Sequence, residues 1–325
     1  LLFTFSQPIA TRVDELLSGV KAQLAIKLFG SDLGTLAAKA REIEAAVKEV
    51  PGAADVAMEQ VEGEAQLVVR PDREQLFRYG LAVADVMDLV RDALAMGRAR
   101  LAFQPIVTRD DDPKIAFYEG LVRLLDDAGR VIPAAHFMPL VEETVMGRQI
   151  DCVTLDLALK MLTSNPNLRL SINLSARSIG DGEWRRILDH AMLHRANPCD
   201  RLIFEISETS AMLLPENVIR FMTEMQPKGV AFALDGFGAG FTAFRHLKDF
   251  FFDLVKIDKS FIRGIDKNVD NQVLAEALIT VARQFEMFTV ADGVETAQEA
   301  AFVESLGVDC LQGYYYGVPK FDLRP

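Results

Sequence analysis

Cysteine is scarce in this chain: three residues in 325, at Cys152, Cys199 and Cys310, with no CxxC spacing. That excludes a disulfide framework and a zinc knuckle, and leaves buried thiols in a reducing compartment as the reading. Histidine is nearly as rare, with four residues. Two of them, His190 and His194 in HAMLH, have the i, i+4 spacing of a zinc helix but lack the glutamate of HExxH, so they read as an exposed helix face. Positive charge is in deficit, since 35 lysines and arginines against 47 acids leave a formal charge of −12. A surface of that sign excludes loose binding to nucleic-acid polymers or anionic membranes, though not a small anion held in a local basic or metal-lined pocket. No run approaches the roughly 20 apolar residues of a membrane span. The opening stretch LLFTFSQPIATRVDELL has no initiator methionine and no basic leader region, and reads as the interior of a longer chain.

What remains is a balance of 50% hydrophobic and 25% charged residues, that of a globular protein with a real core. The first half reads strand AQLAIKLFG (22–30), helix DLGTLAAKAREIEAAVKEV (32–50) stopped by Pro51-Gly52, two strands around Gly63, then two helices. A βαββα order predicts a small two-layer, ferredoxin-like α/β domain over residues 1–92. The stretch VADVMDLVRDALAMGRAR reads as one helix shared between the two halves, and a junction without a flexible linker points to a fusion. From residue 93 to 325, eight short apolar runs alternate with helical segments: LAFQPIV, IAFYEGLVRL, LRLSINLS, RLIFEIS, VAFALD, DLVKID, FTVADGVE and VDCLQGYYYG. That pattern predicts a (β/α)8 barrel, with an open doubly wound sheet as the alternative.

In such a barrel the carboxyl ends of the strands share one mouth. Glu119, Asn173, Glu205, Asp235, Lys256, Asp292 and Gln312 each stand at the end of an apolar run. Taken singly, a strand-end acid reads as a helix cap or a surface charge. Together they put four carboxylates, two amides and one ammonium in one place, and such a set needs compensation. Oxygen donors without histidine or cysteine suit Mg2+ or Mn2+.

The second half resembles a known family, the EAL domains, (β/α)8 barrels that hydrolyse cyclic di-GMP to linear pGpG. The matching stretches are FQPIV, YEGLVRL, SINLSA, FEISET, LDGFGAGF, LVKIDKSFI, VADGVET and LQGYYYG. The resemblance implies that Glu119, Asn173, Glu205 and Asp235 hold one metal ion, and that Lys256 and the residue at 292 handle the attacking water. It implies that Glu295 and Gln312 complete the cluster and that Glu208 steadies the glycine-rich loop. Gln104, Pro105, Leu121 and Arg123, with Asn173, Asp235 and Gln312, match positions that hold the dinucleotide. It also implies a cytoplasmic protein, a homodimer through barrel helices and an unidentified downstream protein.

Two departures stand out. The family has Asp-Asp where this chain has Asp235-Gly236, and Glu where it has Asp292. Hydrolysis by two metals needs both ions clamped about 3.5–4 Å apart. Loss of a carboxylate weakens the second ion, so one ion is expected. The sequence supports three readings: a cyclic di-GMP receptor with impaired hydrolysis, which the departures favour; a weak phosphodiesterase; and a structural domain without either role. The first half is similar, over about residues 3–95, to a porter subdomain of heavy-metal efflux pumps of the resistance–nodulation–division class, which is periplasmic in its parent family. Without membrane helices, this segment is expected to play no part in transport.

Overall fold

The computed structural model describes residues 83–110, 112–132, 134–193, 197–240 and 248–323, together with Lys39, Glu42, Ile43, Ala46, Val47 and Lys48. Those six are helical and fall within the helix expected over 32–50. The rest of the expected βαββα domain up to residue 82 lies outside the described residues, and its last helix, from Val83, is described. The chain divides into compact units Leu1–Tyr79 and Gly80–Pro325. No helix among the described residues is long and apolar enough to cross a membrane.

The second unit opens with helix α1 (Val83–Ala95). The helix expected over 83–100 stops here, because Gly97 takes φ 63° and the chain closes a Schellman cap: Gly97 N donates to Leu94 O and Arg98 N to Ala93 O. Strand β1 (Ala99–Thr108) comes next, then β2 (Ile115–Leu125), β3 (Val131–Ile132), α2 (Ala134–Val141) and α3 (Val145–Ser164). The order continues β4 (Leu170–Asn173), α4 (Gly182–Met192), β5 (Leu202–Ser207), α5 (Glu208–Leu213) and α6 (Pro215–Met225). It ends with β6 (Ala231–Phe237), β7 (Leu254–Ile257), α7 (Lys259–Ile262), α8 (Val269–Gln284), β8 (Phe288–Ala291), α9 (Ala297–Ser305) and β9 (Cys310–Gln312). Several helix starts are capped by side chains, as when Asp181 accepts from Glu183 N and Trp184 N, and when Thr296 and Glu299 form a reciprocal box.

All eight predicted runs become barrel strands. The sheet runs β1-β9-β8-β7-β6-β5-β4-β2, closes through β1–β2 pairing, and carries β3 as an appendage on β2. The pairs from β2 through β4 to β9 are parallel, but β1 is antiparallel to both β2 and β9. The connection from β1 to β2 is too short for a crossover helix, so the two strands must run in opposite directions.

Three apolar regions hold this frame. Between sheet and helices lies the largest, where Trp184, Phe204, Phe221 and Phe232 meet at ring-centroid separations from 5.4 to 5.9 Å. Inside the barrel, Ile106, Phe117, Ile203, Ala233, Leu254 and Val290 fill the lower half. A separate cluster of Val86, Val90, Ala93, Ala99, Leu124, Phe137, Val141 and Ile150 joins α1 and α2 to the ends of β1 and β2. Cys152 and Cys199 are buried free thiols and Cys310 is partly buried, and burial pushes them up to about 12, 11 and 11 respectively. His190 lies on the exposed side of α4, and His194 is outside the described residues.

Behind the site, Asp151 of α3 accepts from Ser178 Oγ at 2.6 Å and from Ser175 N at 3.3 Å, fixing the loop after β4. Burial raises its carboxyl to about 6 against these hydrogen bonds. The folded chain therefore binds this proton more tightly than the unfolded chain does. The resulting stability is complete below about pH 4 and lost as pH rises through 6. In Asp151→Asn, thermal unfolding followed by calorimetry should lose this component, amounting to about 3 kcal/mol, so that the variant gains on the wild type between pH 4 and 7. Next to Gln312 at the mouth end of β9, a Cβ on Gly313 would lie 2.0 Å from Val294 O. Gly313→Ala must displace backbone, and the unfolding temperature should fall by roughly 5–10 °C.

Candidate functional site

The site is the upper layer of a barrel filled by alternation. Side chains of a strand face the interior every second residue, so each lower-layer position has a polar counterpart two residues along. Phe117 is followed by Glu119, Ile203 by Glu205, Ala233 by Asp235, Leu254 by Lys256, Val290 by Asp292 and Cys310 by Gln312. On β1, which runs the other way, Gln104 precedes Ile106. Six strand ends and a reversed one thus bring the predicted side chains to one depth.

Lys256 stands at the centre, with 2% of its surface exposed. Its Nζ lies 2.9 Å from Glu119 Oε2, 2.8 Å from Glu205 Oε2 and 3.8 Å from Asp235 Oδ1. Gln312 Nε2 donates to Glu119 Oε2 at 2.6 Å and to Gln104 Oε1 at 3.3 Å, while Asn173 Nδ2 donates to Glu119 Oε1 at 3.1 Å. Gln104 Nε2 in turn donates to Gly317 O. The network links β1, β2, β4, β5, β7 and β9 through side chains alone.

Its electrostatics are uneven. Burial works to raise Glu119, but the Lys256 charge and hydrogen bonds from Gln312, Lys256 and Asn173 outweigh it and hold this carboxyl below the usual range. Glu205 goes the other way, pushed up to about 8 by burial and by the charge of Glu119, with Lys256 only partly opposing. Asp292 is also raised, chiefly by burial and against Lys256. Burial works to lower Lys256, yet Glu119, Glu205, Asp235 and Asp292 raise it well above its ordinary value, so it is an ammonium. One ammonium does not neutralise this set of acids. Glu205 Oε1 and Gln312 Oε1 are buried without a hydrogen-bond partner among the described residues. A buried unpaired carboxylate oxygen facing like charge is where a small hard cation fits, and the donors are all oxygen. As the side chains stand, with Lys256 between them, no three acidic, histidine or cysteine groups among the described residues form a metal cluster.

The predicted residues divide. Gln104, Glu119, Glu205, Asp235, Lys256, Asp292 and Gln312 face the interior, and Asn173, exposed at the end of β4, donates to Glu119. Leu121 and Arg123 continue the inner face of β2 above Glu119. Pro105 points to the other side of β1, and its Cγ would lie 2.7 Å from a Cβ on Gly317, so it shapes the chain there. Glu295 does not complete the cluster: it is exposed and pairs with Arg263 at 2.6 Å, because two further residues after Asp292 carry the chain out over the rim. Glu208, at the start of α5, accepts from Gly238 N and Gly240 N through Oε2, which anchors the glycine-rich turn.

The departure at Gly236 has a local geometry. Leu234 pairs with Val255 and Phe237 with Ile257, leaving Asp235 and Gly236 together opposite Lys256. This is a β-bulge, and Gly236 takes φ 70° in it. A Cβ there would have Asp258 Oδ2 as its nearest neighbour, at 4.0 Å. The position has room for an acidic side chain beside an existing one. Sequence reasoning missed Arg100, which β1 places on the same inner face; the sign of it was in the register, not in any motif.

The EAL domain family matches residues 87–319, and the AcrB/AcrD/AcrF family matches residues 2–104. Among curated proteins, cyclic di-GMP phosphodiesterase PdeF of Escherichia coli strain K12 is 30% identical over 240 residues, 72% of this chain and 32% of that protein. Cyclic di-GMP phosphodiesterase PdeB of Shewanella oneidensis is 26% identical over 327 residues, 96% of this chain and 38% of that protein. The chain thus spans about a third of the length of these relatives. Among solved structures, the PaMucR phosphodiesterase in complex with c-di-GMP has a TM-score of 0.66 at 27% identity, covering 72% of this chain and 97% of that one. The FimX EAL domain from Pseudomonas aeruginosa bound to c-di-GMP also scores 0.66 at 27% identity, covering 74% and 98%. With the fold, the polar ring and these matches in agreement, the chain belongs to the EAL domain family.

Proposed function

We propose that this chain is a cyclic di-GMP receptor in which hydrolysis is impaired. The observation that carries the reading is Gly236 in the β6 bulge, beside a ring that otherwise keeps its polar residues. Gln104, Leu121 and Arg123 hold the dinucleotide, and Arg123 offers a phosphate a planar fork of donors. Glu119, Asn173, Glu205 and Asp235 would hold one Mg2+ or Mn2+, which when bound supplies Lewis-acid stabilisation of phosphate charge. Lys256 keeps Glu119 anionic and orients it, and Glu208 fixes the turn that carries Asp235 into place. Gly236 offers no side-chain ligand, and Asp292 falls one methylene short of the glutamate that the family places there. A misplacement of about 1 Å in a reacting constellation costs on the order of 10²-fold in rate. On this reading the barrel works in the cytoplasm and signals to a downstream protein, with a homodimer formed through barrel helices. The efflux-like segment takes no part.

The weak-phosphodiesterase reading rests on the same ring and is separated by turnover. Calorimetry with cyclic di-GMP, with and without Mg2+, should show binding, while a product assay finds pGpG at a small fraction of the rate of an intact family member. A rate equal to such a member would overturn the receptor reading. Aspartate is among the few residues that tolerate the conformation at 236. Gly236→Asp combined with Asp292→Glu should therefore fold and raise hydrolysis by about 10²-fold. A double variant that binds two metal ions and stays inert would refute this account of the defect.

A further inference from the structure

In an antiparallel pair, directly opposed residues project from the same face. Gln104 opposes Glu119, Ala102 opposes Leu121, and Arg100 opposes Arg123. Since Gln104 and Glu119 reach the interior ring, the period of two carries both arginines onto the same inner face, four residues nearer the mouth. The alternate residues of β1 agree, because Ala99, Leu101 and Phe103 are buried in the outer cores. Arg100 is exposed, and its Nη1 donates to Gly97 O at 3.0 Å and Ala99 O at 2.7 Å. Arg123 is partly buried and donates to Val122 O at 3.0 Å. Both guanidiniums thus bond backbone carbonyls, and Arg123 also feels the charge of Glu119. Like charges directly opposite on a ladder repel each other. An anion at the mouth can be met by both cations of this inner face, and a guanidinium meets a phosphate with two parallel hydrogen bonds.

We propose that Arg100 and Arg123 form a clamp for a phosphodiester group at the barrel mouth, with Arg100 as a phosphate-binding residue. The clamp deepens the receptor reading and rests on it. It supplies positive charge on the β1–β2 side of the mouth, across the barrel from Gly236 on β6. Tyr314, two residues beyond Gln312 and 62% exposed, stands within the electrostatic reach of Arg123 and borders the same space.

The competing role for Arg100 is to close the turn after α1 through its two carbonyl contacts. Arg100→Gln keeps a donor for those carbonyls and removes the charge, while Arg100→Lys keeps the charge and removes the fork. Calorimetric affinities of the full chain for cyclic di-GMP and for guanosine, beside thermal unfolding, separate the roles. Arg100→Gln should weaken cyclic di-GMP about 10- to 30-fold, with Arg100→Lys between it and the wild type. Guanosine binding and the unfolding temperature should not change. Cyclic di-GMP affinity within twofold of wild type in Arg100→Gln overturns the clamp. Equal weakening of guanosine, or a matching loss of thermal stability, assigns Arg100 to the turn and overturns it as well. If the wild type itself does not bind cyclic di-GMP, the receptor reading fails first and the clamp with it.

Discussion

A lysine ammonium held inside a barrel between two glutamates, Glu119 and Glu205, is the constraint around which the site is organised. Removing such charges from water costs several kcal/mol per ion after relaxation. The cost is offset only because amide donors from Asn173 and Gln312 converge on the same carboxylate, and the offset is incomplete. Glu205 is left with a raised carboxyl and an oxygen without a hydrogen-bond partner among the described residues.

The position of the ring is a consequence of packing. Below it, Ile106, Phe117, Ile203, Ala233, Leu254 and Val290 close the barrel, so polar groups can occupy only the next inward layer. Above it, the lobe built on α1 and α2 grips the ends of β1 and β2 and sets their register. The register of β1 therefore fixes which of its residues face the barrel mouth.

Much of this is legible in the residues themselves. The eight strand runs are short, apolar and bounded by turn residues, and their ends carry the polar groups in order; local patterning is enough to identify them. The residues of the ring can be named because a strand end after a known number of residues has only one inward position. The helix expected over 83–100 is too long because amphipathic spacing continues up to Gly97, and only the positive φ and the capping bonds show where it ends. Glu295 reads as part of the cluster because motif proximity does not register how quickly a loop leaves the barrel axis.

The sequence by itself determined the barrel class, the family and which polar residues stand at the strand ends, because each depends on residue type and local order. The tertiary structure alone decided that β1 runs against its neighbours, that Gly236 sits in a bulge opposite Lys256, that Lys256 bridges two acids, and that Arg100 faces Arg123. Strand periodicity carries no direction and no register. Those are settled only when backbone hydrogen bonds pair one strand with another, and with them which charges must share a space.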